Sequence, residues 1–391
     1  MEEKIIKGLD DLTSLRVRLV GIMLLSGLVT FGVFVLFDHV WDIQAGLTWM
    51  AAAIGAEIYL FGSVWTWLDQ NHRAGESQLL PTFGAGNLLS ITRAVLIGLL
   101  AGFVFVPQPE GLLAWLPFAL YLLADLTDFF DGYLARISNH ATKLGETLDM
   151  NLDSLGVLVV TLLAFHYGTV PVWYLPVGFA RYIFLFGIWL RNRNGQPVYD
   201  LRPSNRRRIF AGIQMGFVTA MLAPVLSPPG TTIAAAIFML PFMVGFIYDW
   251  LQVSGRIGPS KHRAGEFTGK LKGRLFAVVP VVLRGIAVAV LIVWITQTSF
   301  DFPGTIVFML LEIVIALFLG LGILTRVSAI AALSVMGIKL QFVDFGGLHL
   351  FYLLAASGVL FLGPGNYYVW SPEEWLFHHR AGETSNDEHQ G

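Results

Sequence analysis

Five aspartates fall within residues 125–156, DLTDFFDGYLARISNHATKLGETLDMNLDSLG, inside otherwise apolar flanks. Asp128 and Asp131 are three apart and Asp149 and Asp153 four apart, so on helices each pair shares one face. The polar run SNHATK between them predicts a turn near residues 137–144. About such a turn Asp128 lies level with Asp153, and Asp131 with Asp149. At 1.5 Å per residue the deeper row is on the order of 12 Å from the helix ends. If the two faces meet, four carboxylates converge on one small volume. Unpaired, they would repel one another and be costly to desolvate, so a cation is required among them. All-oxygen donors, without cysteine or a suitable histidine, favour Mg2+, Mn2+ or Ca2+ over zinc. Four carboxylates suffice for two such ions, and a two-metal site suits phosphoryl or phosphodiester transfer. One carboxylate can also take the proton of an acceptor hydroxyl. Gly132 and Gly145 remove bulk beside the aspartates, and Arg136, one turn beyond Gly132, can pair with a phosphate. Asp125 has no counterpart across the turn and reads as a polar helix residue. A loop origin for the aspartates conflicts with the apolar flanks YLLADLTDFF and LDMNLDSLGVLVVTLLAF.

The elements that must hold these residues are membrane helices. Of 391 residues, 55% are hydrophobic and 13% charged, against about a quarter charged in soluble proteins. The expected fold is therefore an all-α polytopic membrane protein. The absence of cysteine excludes disulfides, thiol nucleophiles and cysteine metal sites. Residues 17–37 exceed a signal-peptide core and lack a small-residue cleavage site, so they read as a retained helix. Twelve spans are expected, near 17–37, 47–68, 87–107, 111–136, 145–167, 171–190, 208–226, 231–252, 275–298, 303–324, 327–343 and 347–364. Their connections alternate between short ones free of Lys and Arg and ones that carry nearly all the basic residues. The positive-inside rule puts both termini and the aspartate turn in the cytoplasm, in an integral inner (cytoplasmic) membrane protein. Tryptophans near span ends, Trp49 and Trp250 among them, read as interface anchors.

The chain divides into a two-helix segment (1–80), a six-helix core bearing the aspartates (81–255), a basic linker (256–274), four more helices (275–370) and a polar tail (371–391). The pattern Asp128-x2-Asp131-Gly132-x2-Ala135-Arg136-x8-Gly145-x3-Asp149-x3-Asp153 resembles the signature of the CDP-alcohol phosphotransferases, eight fixed positions over 26 residues. Upstream, Asn87-x2-Ser90-x2-Arg93 is similar to the opening helix of that family. The resemblance implies a six-helix core and transfer from a CDP-linked lipid, usually CDP-diacylglycerol, to a small alcohol, with CMP leaving. It implies Mg2+ or Mn2+, as two ions, held by Asp128, Asp131, Asp149 and Asp153, with Asp153 also the base. It places Gly132, Ala135, Arg136 and Gly145 in the CDP pocket, with Asn87 near it; a helix N-cap is an equal reading of Asn87. It also implies a homodimer. The stretch LDMNLDSL differs from the Leu-Asp-Pro-x-Ala-Asp-Lys of the phosphatidylglycerolphosphate-synthase branch.

Arg181 lies inside a predicted span, where a charge implies a partner. Arg206, Arg207 and Arg208 cluster at the mouth of the seventh helix. Arg181, Arg207 and Arg208 are candidates for gripping a phosphate on the acceptor. A structural ion pair for Arg181, and a topogenic role in contact with membrane lipids for the cluster, are the competing readings. Residues 275–370, with LLEIVIALFLGLGILTRVSAIAA and FLGPGNYYVWS, resemble the DoxX-like four-helix membrane family. Glu312, Lys339 and Arg284 are intramembrane charges expected to pair there, and His378 and His379 read as solvated. No nucleic-acid partner is expected, since the basic linker carries no aromatic interleaving. The competing functional classes are a cation or solute transporter using the aspartates, and a non-catalytic scaffold. Neither gives Gly132, Arg136 and Gly145 a role.

Overall fold

A computed structural model of the chain describes residues 2–201, 204–257, 266–297 and 305–374. Twelve α-helices and no strands occur among them. They are α1 (Glu2–Val40), α2 (Ile43–Thr66), α3 (Gly84–Ala101), α4 (Leu116–Ile137), α5 (Lys143–His166), α6 (Pro176–Arg193), α7 (Asn205–Ala220), α8 (Gly230–Val253), α9 (Glu266–Gln297), α10 (Thr305–Leu321), α11 (Thr325–Lys339) and α12 (Gly347–Leu362). The protein is thus an all-helical polytopic membrane protein, with each expected span represented by a helix.

Eight helices among the described residues are long and apolar enough to cross a bilayer, not twelve. The 16-residue α7 and 15-residue α11 are short. The run APVLSPPG follows α7 and its prolines cannot continue a helix, while Leu324, in the left-handed region at φ 42°, sets the start of α11. Apolar α10 and α12 are also short, and α10 borders undescribed residues. The basic linker ends earlier than expected, because α9 already begins at Glu266; 258–265 lie outside the described residues. So do most of the polar tail, His378 and His379, and the side chain of Arg206.

The central element is α3, which packs more extensively on α4 than any other pair of helices does, and also on α2 and α5. Two glycines permit this. A Cβ on Gly86 would lie 2.9 Å from the Ala135 Cβ and from the Asp131 carbonyl oxygen of α4. One on Gly98 would lie 2.8 Å from the Glu57 side chain of α2. The expected hairpin of the fourth and fifth helices is accordingly splayed: α4 and α5 barely touch, and α3 fills the angle between them. Overpacking such a contact costs about 1–3 kcal/mol. Gly86→Ala is expected to lower the thermal midpoint in detergent by several degrees, whereas Gly8→Ala, with open space around it, is expected to leave it unchanged.

Trp49 is a core residue rather than an interface anchor. It is fully buried, donates from Nε1 to the Leu99 carbonyl at 3.1 Å, and packs edge-on against Phe37 and Phe103. In the last four helices Lys339 and Glu312 pair at 2.6 Å, as expected. Arg284 does not join them. Its guanidinium donates to the carbonyls of Leu319 (2.6 Å), Gly320 (2.9 Å), Pro364 (3.0 Å) and Tyr367. The carbonyls at the end of α10 have no further helical turn to accept from, and the arginine supplies the missing donors.

Candidate active site

The site forms at the end of α3, α4, α5 and α7 where the α4–α5 turn lies. Thr142 caps α5, its Oγ1 accepting from the Gly145 amide at 3.1 Å. Asn87 is 2% exposed inside α3 and is no N-cap, since α3 begins at Gly84. Its Nδ2 donates to Thr142 Oγ1 at 2.9 Å and to Asn71 Oδ1 at 3.0 Å. Asn71 in turn donates to the carbonyls of Leu80 and Thr82, both at 2.9 Å. The Lys143 amide donates to the His72 carbonyl at 2.9 Å, and Gln70 Oε1 accepts from Thr147 at 2.8 Å. The segment after α2 is thereby fastened to the α4–α5 turn. Gly145 is small because of this network: a Cβ there would lie 2.6 Å from Asn87 Oδ1.

Carboxylate oxygens of Asp128, Asp149 and Asp153 can lie within 4.8 Å of one another. Arg93 of α3, with a side chain only 2% exposed, stands among them. Its guanidinium donates to Asp128, to Asp153 and, at 3.4 Å, to Asp149. The cation demanded by these carboxylates is thus partly provided by the chain itself. Asp131 faces the same cavity but is held apart, accepting from Ser90 Oγ at 2.7 Å. Arg93 and Ser90 were not among the predicted site residues. Their signal was the spacing of Asn87, Ser90 and Arg93, which lines one face of a helix. Asp125 is a structural residue, its Oδ2 accepting from Thr219 of α7.

The aspartates form one wall of a cavity of about 820 Å³. Asn87, Gly132, Ala135, Arg136 and Gly145 also line it, and Arg207 and Arg208 of α7 stand across from them. Arg207 lies 3.5 Å from Asp249 of α8. Arg181 does not line this cavity; it lines a small one of about 50 Å³ with Tyr59, Asn151 and Tyr182, from which its charge still reaches Asp153. The residues present fit a divalent cation. Three carboxylates against one guanidinium leave an uncompensated negative charge, every donor is a hard oxygen, and the three ligand atoms already converge.

Comparison with known proteins gives this geometry a family. The family model described as CDP-alcohol phosphatidyltransferase matches residues 83–251. A CDP-diacylglycerol--glycerol-3-phosphate 3-phosphatidyltransferase of Cereibacter sphaeroides is 32% identical over 106 residues, 26% of this chain and 47% of the relative. The Escherichia coli protein of the same name is 33% identical over 84 residues, 21% of this chain and 43% of the relative. A Mycobacterium tuberculosis protein provisionally named cardiolipin synthase is 29% identical over 140 residues, 35% of this chain and 63% of the relative. The chain thus spans from under half to under two thirds of the length of these relatives. No solved structure matches it. Residues 83–251, which carry the aspartates, Arg93 and both cavity arginines of α7, are the part of the chain that matches the CDP-alcohol phosphatidyltransferase family.

Proposed function

We propose that the protein transfers a phosphatidyl or related phospho-alcohol group from a CDP-alcohol, with CDP-diacylglycerol as donor, to an acceptor hydroxyl in phospholipid biosynthesis. The observation that carries this reading is the convergence of Asp128, Asp149 and Asp153 on the wall of a large cavity that also holds Arg136, Arg207 and Arg208. Residues 81–255 are the catalytic core, flanked by the first two helices and the last four. The site faces the cytoplasm of an inner-membrane protein, since the loops around it carry the basic residues, and the family resemblance implies a homodimer.

The donor's pyrophosphate enters between the aspartate wall and the arginines. Gly132 and Ala135 leave α4 without bulk along that wall, and Arg136 pairs with a phosphate. Asp128, Asp131, Asp149 and Asp153 would hold Mg2+ or Mn2+, which would neutralise phosphate charge and polarise the phosphorus. Asp153 accepts the acceptor's hydroxyl proton as its oxygen bonds to the phosphorus bearing the lipid alcohol. The bond from that phosphorus to the bridging oxygen breaks, and CMP leaves with the oxygen. Arg207 and Arg208 bind a phosphate on the acceptor, which is therefore a phosphorylated small alcohol such as glycerol phosphate or inositol phosphate. Arg181, lining the neighbouring small cavity, acts on this site through its charge beside Asp153.

The test is CMP release by purified protein with Mg2+ and CDP-diacylglycerol, across glycerol 3-phosphate, inositol phosphate, inositol, serine and choline. Release that depends on a phosphorylated acceptor is expected. The Arg207→Ala, Arg208→Ala double variant is expected to raise KM for that acceptor by roughly a hundredfold, as loss of two charge-assisted contacts at about 1.5 kcal/mol each implies. Unchanged acceptor KM would remove the arginines from the acceptor site. Metal-dependent nucleotide binding that is absent altogether would sink the transferase reading.

A further inference from the structure

A second cavity, of about 310 Å³, lies between α7 and α8 of the core and α11 and α12 of the last four helices. Its lining is almost entirely apolar and includes Gly216, Phe217, Ala234, Leu333, Gly337 and Leu353. It adjoins the aspartate cavity, because Gly212 of α7 lines both. The contact between core and last helices that encloses it is specific. Phe361 packs on Phe210 and Phe238, a Cβ on Gly230 would lie 3.1 Å from the Gly337 carbonyl oxygen, and Gln341 donates to the Val225 carbonyl. The space is a built one: Cβ atoms added at Gly212 or Gly216 would meet nothing within 4 Å.

We infer that this cavity receives an acyl chain of the lipid donor, so that the last four helices complete the donor site. The inference rests on the transferase reading above. The aspartates lie on the order of 12 Å in from the helix ends, so a diphosphate at their level starts its acyl chains well inside the bilayer. A chain leaving past Gly212 runs along α7 away from the polar end, and Gly212 to Ala220 spans about 12 Å at 1.5 Å per residue. Apolar cavities of this kind stay dry and accept apolar guests. Lipid tails are as apolar as the lining, so the cavity fixes the direction of the chain and the register of the diphosphate more than it adds affinity.

Gly216→Leu and Gly337→Leu add side chains to the cavity; a Cβ on Gly216 would meet nothing within 4 Å, and the nearest atom to one on Gly337 is the Leu226 Cδ2 at 3.4 Å. With a dioleoyl donor both variants are expected to lower kcat/KM by roughly tenfold, a step of the size set by small changes in an apolar pocket. With a dihexanoyl donor they are expected to match the unmodified protein. Equal effects on both donors, or none on either, overturn the inference. CMP release by the unmodified protein from the dihexanoyl donor separates failure of this inference from failure of the transferase reading. A CDP-diacylglycerol with a photoreactive group near the end of one chain gives a readout independent of turnover. Labelling of α7 and α11 peptides, competed by CDP-diacylglycerol and not by phosphatidylglycerol, is expected. Labelling confined to other helices, or competed equally by both lipids, overturns the inference.

Discussion

Asp153→Asn is expected to lower the rate of CMP release by about a thousandfold, within the 10²–10⁴ range of general-base contributions, while leaving the protein folded. Asparagine keeps the shape of the side chain but cannot take the acceptor's proton. Asp128 and Asp149 remain to hold Arg93, so the cluster keeps its cation. The fall should therefore appear in kcat, with the donor KM changed much less. A thousandfold loss corresponds to about 4 kcal/mol of transition-state stabilisation. Single-turnover CMP release, read beside nucleotide binding, separates the two parameters. A variant that turns over at the original kcat with a raised KM would make Asp153 a binding residue and leave the base to be found elsewhere.

Replacing Arg93 with methionine is expected to lower the thermal midpoint without divalent metal, because it leaves three mutually repelling carboxylates without their buried guanidinium; the aspartate side chains are 30–50% exposed, so solvent screening keeps the loss below that of a fully buried pair. Methionine retains the bulk and the helix propensity of arginine, so the loss reports the charge. The same change removes a competitor for the carboxylate oxygens. Mg2+ should then restore more stability to the variant than it adds to the unmodified protein; a ligand at a hundred times its dissociation constant contributes about 2.7 kcal/mol. Thermal unfolding with and without Mg2+ gives both numbers. Equal Mg2+ shifts in the two proteins would mean that Arg93 and the metal do not share these oxygens.

The helices were legible in the sequence because bilayer thickness imposes a length and a composition on each one. Where the expected twelve spans exceed the eight found, at α7, α10, α11 and α12, the helices are shorter than a crossing requires. The aspartates were legible for a related reason. Spacings of three and four put each pair of carboxylates on one helix face, and the polar turn sets both pairs at similar distances from it. Arg93 was harder to assign, because its opposite numbers lie 35 to 60 residues further along the chain. Arg284 was misread for the same kind of reason: its partners are main-chain carbonyls, which side-chain identity does not reveal.

By itself the sequence determined the solvent of this protein, the order of its helices, and the placing of four carboxylates at matching distances from one turn. Those follow from local rules: the hydropathy and length of a segment, the period of a helix, and the polarity of a loop. Only the tertiary structure decided that α3 separates α4 from α5, that Arg93 is the cation among three carboxylates while Asp131 turns to Ser90, and that Arg207 and Arg208 line the cavity across from the aspartates while Arg181 lines a smaller one. It also decided that the last four helices enclose an apolar chamber against the core. These depend on which helix faces fit closely enough to pack. That fit is set at glycines such as Gly86 and Gly98, where the missing side chain matters only once the neighbouring helix is in place.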